Sequence, residues 1–389
     1  MDIVVVGATG NIGTCLLDAL AADADVTRVR ACARRAPQRS WPKTTFVQVD
    51  IVDGELDPVF EGADAVVHLA WIFQPTHRPD VTWRVNVGGS VRVFDAAVRQ
   101  GVGTIVYSSS VGAYSPVPSP DRSQAVDERW PTDSVPTAAY GREKAYVERV
   151  LDGVEARQPQ MRVVRLRPGF VFQRASGTQQ RRLFAGPFVP ASLLHPGTLP
   201  VLPFPEGLRF QGVHAKDLAQ AFHLALSNPT ARGAFNVAAD PVLDATRIAT
   251  ILGTRAVAVP PGAVRAALAL AWHARLAPAD PALFDLALGL PLMRTDRARS
   301  ELGWTPTVAA DDALAEALAG MAEGAGAATA PLSADSPRAR LAELVGAVAQ
   351  RRAHSSQHGS SQHGSSQHGS SQHGSSQHGS SQHDDASRR

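Results

Sequence analysis

The stretch VVVGATGNIG, residues 4–13, joins an apolar run to three regularly spaced glycines. The run predicts a buried strand, and residues 11–22 have the pattern of the helix that follows it. Gly7 allows the tight turn between the two, Gly10 lets a pyrophosphate approach the backbone, and Gly13 lets the helix pack closely on the strand. Because a helix N-terminus presents free N–H groups and a positive dipole end, the stretch predicts a phosphate-binding turn.

The segments that follow alternate between strand and helix patterns. Strands are predicted at 2–7, 26–34, 44–51, 63–71, 104–110 and 161–168, and helices at 11–22, 90–102 and 138–152. Strands that alternate with helices favour a parallel sheet that is covered on both faces. The sequence therefore predicts an α/β fold, a Rossmann-type doubly wound parallel sheet with a smaller, mostly helical C-terminal substrate lobe.

The alternating pattern is lost after residue 170, which sets the predicted domain bounds. The dinucleotide-binding domain is predicted at 1–170, with 210–240 returning to it. The substrate lobe is predicted at 171–209 and 241–325, a C-terminal helical segment at 326–353, and a disordered tail at 354–389. The tail repeats SSQHG without a hydrophobic residue, so it cannot offset the entropy of ordering.

Composition excludes several classes of partner. The 389 residues carry a net charge of +2, which gives no electrostatic footprint for nucleic acid or an anionic membrane. No span approaches the roughly 20 apolar residues of a membrane helix, and no signal peptide is expected. Two cysteines make no disulfide framework, and no Cys/His/Asp/Glu cluster has metal-ligand spacing. We expect a cytoplasmic protein with a small-molecule substrate and no metal, and leave a homodimer open.

A serine, a tyrosine and a lysine provide candidate acid–base chemistry. The run VYSSSVGAY ends the fifth predicted strand, so Ser110 lies at the edge of the sheet where open α/β folds bind ligands. In AAYGREKAY, Tyr140 and Lys144 are four residues apart and share one helix face. The lysine charge there favours the phenolate and lowers the tyrosine pKa. Such a tyrosine passes a proton to or from a substrate oxygen while a hydride moves to or from a nicotinamide.

The end of the second predicted strand bears on the choice of cofactor. Sites that select NAD usually carry a carboxylate about 20 residues after the glycines. The run ACARRAP has Arg34 and Arg35 there instead. Because a guanidinium suits a 2′-phosphate, the sequence predicts NADP, with NAD as the alternative.

Five motifs give the chain a specific resemblance: GATGNIG, VVHLA, VYSSSVGAY, YGREK and RLRPG. It resembles an extended short-chain dehydrogenase/reductase of the NAD-dependent epimerase/dehydratase family over residues 1 to about 307. The resemblance implies Ser110, Tyr140 and Lys144 as catalytic residues. Together with the arginine pattern, it gives a cofactor-binding set of Gly7, Gly10, Asn11, Ile12, Gly13, Arg34, Asp50, Ile51, Leu69, Ala70, Lys144 and Pro168.

One departure from the family pattern concerns the substrate. Sugar-nucleotide members resemble RPxNVYGP after the sixth strand, whereas this chain has RPGFVFQRA, with Phe170 in place of the asparagine. Phe170 cannot donate a hydrogen bond to a phosphate, although Arg174, Arg181 and Arg182 remain candidates to meet an anionic substrate. The apolar segment 263–293 suggests a more apolar pocket than a sugar nucleotide needs.

These observations predict an NAD(P)-dependent oxidoreductase of the extended short-chain type. It transfers hydride at a hydroxyl or carbonyl carbon of a small organic substrate, with Tyr140 as the acid/base. One alternative is a sugar-nucleotide epimerase or dehydratase, which returns the hydride to its product. The other is a non-catalytic dinucleotide sensor.

Overall fold

The computed structural model describes residues 1–74, 76–117, 124–185 and 194–335. In these ranges the strands are β1 (Asp2–Val6), β2 (Arg28–Ala33), β3 (Thr44–Gln48), β4 (Ala65–His68), β5 (Thr104–Ser108), β6 (Arg162–Pro168), β7 (Phe170–Phe172), β8 (Val201–Pro205), β9 (Phe210–His214), β10 (Gly233–Val237), β11 (Ala239–Leu243) and β12 (Arg255–Val259). The α-helices are α1 (Asn11–Ala22), α2 (Asp57–Phe60), α3 (Pro79–Trp83), α4 (Gly89–Arg99), α5 (Ala139–Arg157), α6 (Gly177–Gln180), α7 (Ala215–Ser227), α8 (Ala245–Ile251), α9 (Pro261–His273), α10 (Pro281–Gly289), α11 (Asp296–Glu301) and α12 (Ala310–Glu323).

Seven strands form the central sheet, in the order β10-β6-β5-β4-β1-β2-β3. All neighbours in it are parallel. The run 3-2-1-4-5-6 is the strand order of dinucleotide-binding folds, and the order reverses beside β1. The predicted Rossmann-type sheet is therefore confirmed.

The sheet is buried on both faces, as its near-continuous apolar strands predict. On one face, Leu16 and Leu20 of α1 pack with Phe222 of α7 and Trp304. On the other face, α4 and α5 contribute a second set of buried side chains, among them Phe94, Val147 and Leu151. These two layers fix the carboxyl ends of the strands, where ligands of such sheets bind.

The segment 210–240 returns to the sheet in part. β10 pairs with β6 in the central sheet, and α7 packs in the same core as α1. β9 instead belongs to a three-stranded sheet with β7 and β11. The predicted domain bounds as a whole stay a prediction.

Several boundaries differ from the sequence expectation, and two of them bear on the site. The strand predicted at 63–71 ends at His68, because the next residues leave the sheet and line a cavity. The helix predicted at 138–152 continues to Arg157. Of the predicted segment 326–353, the described part to residue 335 consists of turns and irregular chain. Its remainder and the tail 354–389 lie outside the described residues.

Three further findings concern the described ranges only. No helix in them combines the length and the apolar character needed to cross a membrane. No group of three or more His, Cys, Asp and Glu in them is arranged to hold a metal ion. Cys15 and Cys32 are both free thiols. A homodimer and a cytoplasmic location stay predictions.

Candidate active site

A cavity of about 860 Å³ opens at the carboxyl ends of the central strands. All of the residues predicted for catalysis and cofactor binding line this one cavity: Gly7, Gly10, Asn11, Ile12, Gly13, Arg34, Asp50, Ile51, Leu69, Ala70, Ser110, Tyr140, Lys144 and Pro168. The fold therefore brings together residues that are far apart in the sequence.

The glycine turn forms a close-fitting cradle. Gly7 has φ +86°, and a Cβ there would lie 2.6 Å from the backbone nitrogen of Ala70. A Cβ on Gly13 would lie 2.5 Å from the carbonyl oxygen of Ala8. Gly10 caps α1 without a side chain, so the N–H groups of the first helical turn face the cavity unblocked. These observations fit the phosphates of a dinucleotide.

The adjacent part of the cavity has the features expected around an adenosine. Arg34 and Arg35 are exposed just past the end of β2 and line the cavity. Asp50 Oδ1 accepts a hydrogen bond of 2.9 Å from the Val52 N–H, which fixes the turn after β3. Ile51 is buried against Gly89, where a Cβ would lie 2.5 Å from Ile51 Cδ1. The turn therefore has a fixed shape beside two free-standing cationic side chains.

Ser110 and Tyr140 meet because a glycine leaves room between them. Ser110 begins a short 3-10 turn (Val111–Ala113), and its Oγ accepts the Gly112 N–H at 3.0 Å. A Cβ on Gly112 would lie 2.9 Å from Cε1 of the Tyr140 ring and 3.3 Å from Ser110 Oγ. The tyrosine ring thus lies against the serine at the edge of the sheet.

Tyr140 lies in an aromatic enclosure. Phe73 stacks on its ring at 4.7 Å between centroids, and Trp71 meets it edge-on at 6.0 Å. Burial raises the pKa of Tyr140 to about 12, although its hydrogen bond with Ser110 acts in the opposite direction. The phenol is therefore neutral at physiological pH and has a proton that it can donate.

Lys144 lies one turn further along α5 and is buried. Its Nζ donates to the carbonyl oxygen of Ser108 at 2.7 Å and lies 3.6 Å from the centroid of the Trp71 ring. Burial holds the pKa of Lys144 well below its usual range. Burial, the hydrogen bond with Ser110 and the charge of Glu143 set the pKa of Tyr140. The expected lowering of that pKa by Lys144 stays a prediction.

The sequence reasoning missed a buried clamp next to Lys144. Glu143 accepts hydrogen bonds from Thr82 Oγ1 at 2.6 Å and from Asn86 Nδ2 at 2.7 Å. Asn86, on a π-helical turn (Arg84–Gly88), also bonds both the N–H and the C=O of Ile72 at 2.8 Å. The clamp ties α5 to the segment that carries Trp71. Its only sequence signal was a carboxylate directly before the lysine.

A second buried network supports the serine run from behind. Arg167 donates to both oxygens of Glu148, at 2.8 and 2.6 Å, and to Tyr114 Oη at 2.9 Å. Ser109 Oγ also donates to Glu148. Burial opposes ionisation of Glu148, but hydrogen bonds from Arg167 and the charge of Arg167 outweigh it and lower the pKa. The hydroxyl of Ser109 is thereby held by Glu148, whereas the hydroxyl of Ser110 bonds with Tyr140.

Three arginines considered for an anionic substrate are engaged elsewhere. Arg174 forms an ion pair with Glu323. Arg181 and Arg182 pair with Asp335 at 3.0 and 3.2 Å. None of the three lines the cavity.

His68 is a core residue. It is buried, and its Nε2 contacts Ser90 Oγ at 2.8 Å. Burial and the nearby Lys144 charge lower its pKa to about 3. It is therefore neutral and does not face the cavity.

The comparisons with known proteins agree with this geometry. The sequence model of the NAD-dependent epimerase/dehydratase family matches residues 3–238, and the chain belongs to that family. An L-arabinose 1-dehydrogenase (NAD(P)(+)) of Haloferax volcanii is 36% identical over 109 residues, 28% of this chain and 40% of the relative. A polyprenol-linked N-acetylglucosaminyl 4-epimerase of Escherichia coli is 31% identical over 156 residues, 39% of this chain and 42% of the relative. The chain thus matches less than half the length of either.

A solved structure extends the likeness across the whole fold. A short-chain dehydrogenase/reductase superfamily protein from Agrobacterium tumefaciens with bound NAD superposes with a TM-score of 0.60 and 23% identity. The match covers 82% of this chain and 97% of the other. At that identity the likeness establishes the shared fold.

Proposed function

We propose that this protein is an NAD(P)-dependent oxidoreductase that transfers hydride at a hydroxyl or carbonyl carbon of a small organic substrate. The observation that carries the proposal is the placement of Ser110, Tyr140 and Lys144 in one cavity with the glycine cradle. Family membership and the buried, neutral phenol of Tyr140 support it.

Each residue has a defined role in the proposed reaction. A reduced nicotinamide, when bound, would supply the hydride for the carbonyl carbon. Tyr140 donates its phenolic proton to the carbonyl oxygen, so that the C=O bond becomes CH–OH. Ser110 donates a hydrogen bond to the same oxygen and orients it. Lys144 stabilises the resulting phenolate and holds the nicotinamide ribose. In the reverse direction Tyr140 accepts the hydroxyl proton.

The cofactor is proposed to lie with its pyrophosphate on the glycine turn and its adenosine beside Asp50 and Ile51. The exposed pair Arg34 and Arg35 favours NADP over NAD, because either guanidinium can pair with the 2′-phosphate. An epimerase that returns hydride to its product is the rival within the family. It is distinguished by cofactor balance, because net oxidation or reduction consumes the cofactor stoichiometrically.

Tyr140→Phe tests the proposal. It removes the ionisable oxygen while keeping the ring that packs against Phe73. General acid–base catalysis contributes about 10²–10⁴-fold, so turnover should fall by that factor with cofactor affinity unchanged. Full activity in this variant would contradict the assignment of Tyr140.

A further inference from the structure

Most of the side chains that line the cavity beyond Tyr140 are apolar. Tyr140 packs in one cluster with Phe170, Leu283, Leu286 and Leu290. The apolar wall includes side chains from four separate segments: Phe73, Phe170, Leu268, and the group Leu283, Phe284 and Leu290. A substrate whose reacting oxygen meets Ser110 and Tyr140 therefore places its body against α9 and α10.

The polar side chains at this end are used mainly by the protein itself. Gln74 Nε2 donates to the carbonyl oxygens of Leu183 and Pro278, at 3.3 and 3.0 Å. Gln180 Nε2 donates to Val171 O at 2.8 Å. Asp280 Oδ1 accepts the Ala282 N–H at 2.8 Å and caps α10. These bonds commit atoms of Gln74, Gln180 and Asp280 to shaping the wall.

Positive charge is missing where a diphosphate needs it. Of the described residues that line the cavity, the cations are Arg34 and Arg35, past the end of β2, and Lys144, buried under Trp71. The three arginines at 174, 181 and 182 are held in ion pairs away from it. Because a charge moved from water into an apolar wall is strongly disfavoured unless it is paired, this end disfavours an anionic substrate.

We propose that the substrate is an uncharged, predominantly apolar ring alcohol or ketone, rather than a nucleotide sugar. This inference rests on the proposed function, since it takes Ser110 and Tyr140 as the point where the reacting oxygen lies. Its apolar body lies against Phe73, Phe170 and Leu283, which line the cavity.

Equilibrium binding tests the proposal without depending on catalysis. The Tyr140→Phe variant, saturated with NADPH, is titrated by calorimetry with α-tetralone and, separately, with UDP-glucose. α-Tetralone is expected to bind at least about tenfold more tightly than UDP-glucose. Tighter binding of UDP-glucose overturns the proposal.

Two leucines on α9 test where α-tetralone binds. Leu268 lines the cavity, whereas Leu270 on the same helix is 73% exposed and does not. Leu268→Glu should weaken α-tetralone binding by about tenfold or more, because it places a carboxylate in the wall; Leu270→Glu should leave it unchanged. Leu268→Asn is the milder companion variant, and unaltered NADPH affinity shows that each variant is folded. Equal affinities in the Leu268 and Leu270 variants overturn the proposed location.

Turnover by the wild-type protein separates this proposal from the proposed function. Binding of α-tetralone at Leu268 without any reduction by NADPH supports the substrate class and counts against the oxidoreductase. Conversion of UDP-glucose without α-tetralone binding overturns the substrate class and leaves the oxidoreductase in place.

Discussion

The ammonium Nζ of Lys144 lies 3.6 Å from the centroid of the Trp71 indole ring. The ring covers a lysine that has no carboxylate within ion-pair distance among the described contacts, and desolvation lowers its pKa. A cation over an aromatic face gains roughly 2 kcal/mol when the pair is desolvated. Trp71 therefore positions Lys144 in the cavity wall.

Chemical labelling measures how well Trp71 shields Lys144 from solvent. The chain has only three lysines, so each can be followed separately. Lys43 and Lys216 are exposed and serve as internal controls, whereas Lys144 is buried. In the wild type, an amine-reactive reagent should modify the two controls and spare Lys144. Trp71→Ala should raise the labelling rate of Lys144 by about tenfold, because it opens the site to solvent. Mass spectrometry gives the rates, and equal labelling of all three wild-type lysines would contradict the contact.

The pH dependence of the reaction follows from the raised pKa of Tyr140. A phenol with a pKa of about 12 stays protonated at neutral pH, so the proton donor for carbonyl reduction is present. Alcohol oxidation needs the phenolate, whose fraction rises about tenfold per pH unit below the pKa. We expect kcat/KM for reduction to stay level between about pH 6 and pH 9, and that for oxidation to climb steadily. A loss of reduction with a midpoint near neutrality would assign the proton transfer to another group.

Cofactor preference tests the two arginines past the end of β2. If Arg34 or Arg35 pairs with the 2′-phosphate, NADP should bind about 10–100-fold more tightly than NAD, since hydrogen bonds to charged groups contribute roughly 1.5–3 kcal/mol. Arg34→Ala or Arg35→Ala should remove most of that difference and hardly alter NAD binding. Arg157→Ala, an exposed arginine in the last turn of α5, is the matched control. If calorimetry gives the wild type equal affinities for NADP and NAD, both arginines face solvent and neither contacts the 2′-phosphate.

Stability measurements test the Glu143 clamp. Glu143→Ala leaves Thr82 and Asn86 without their acceptor, which costs about 1–3 kcal/mol of unfolding free energy. Glu301→Gln is the control, because its exposed pair with Arg297 contributes at most about 0.5 kcal/mol. Denaturant unfolding of the two variants measures the difference.

The isosteric variant Glu143→Gln tests the charge of the clamp. Burial raises the pKa of Glu143 above its unfolded value, so the folded state binds more protons, and this contribution to stability falls as pH rises through the folded pKa. The amide carries no such dependence. The stability of Glu143→Gln relative to wild type should therefore rise between acid and neutral pH. Parallel pH profiles of stability for the two proteins would disprove the burial of a charge.

The sequence predicted the fold, and it singled out residues that line one cavity, because their signals are local. Gly7, Gly10 and Gly13 follow a strand directly, and the predicted helix 11–22 coincides with α1. The pair Tyr140 and Lys144 needed only helical spacing to be placed on one face. Such patterns are complete within a few residues.

The surroundings of the site could not be predicted because they depend on distant contacts. Asn86 reaches Glu143 across 57 positions, and Arg181 meets Asp335 across 154. The same arginine looked available to a substrate in the sequence, since nothing near it in the chain announces its partner. The sequence placed Trp71 at the end of a predicted strand. In the fold its ring instead lies over Lys144.

The last described stretch of the chain closes over its first turn. Thr329 Oγ1 donates to the carbonyl oxygen of Thr9 at 2.9 Å, a contact that spans 320 positions, and Pro331 lines the cavity. During synthesis, the glycine turn emerges from the ribosome early. This part of the cavity wall forms only after almost the whole described chain has been made. A chain that stops after α12 keeps Ser110, Tyr140 and Lys144 but lacks Thr329 and Pro331. This part of the cavity wall therefore depends on residues that are made long after the glycine turn it contacts.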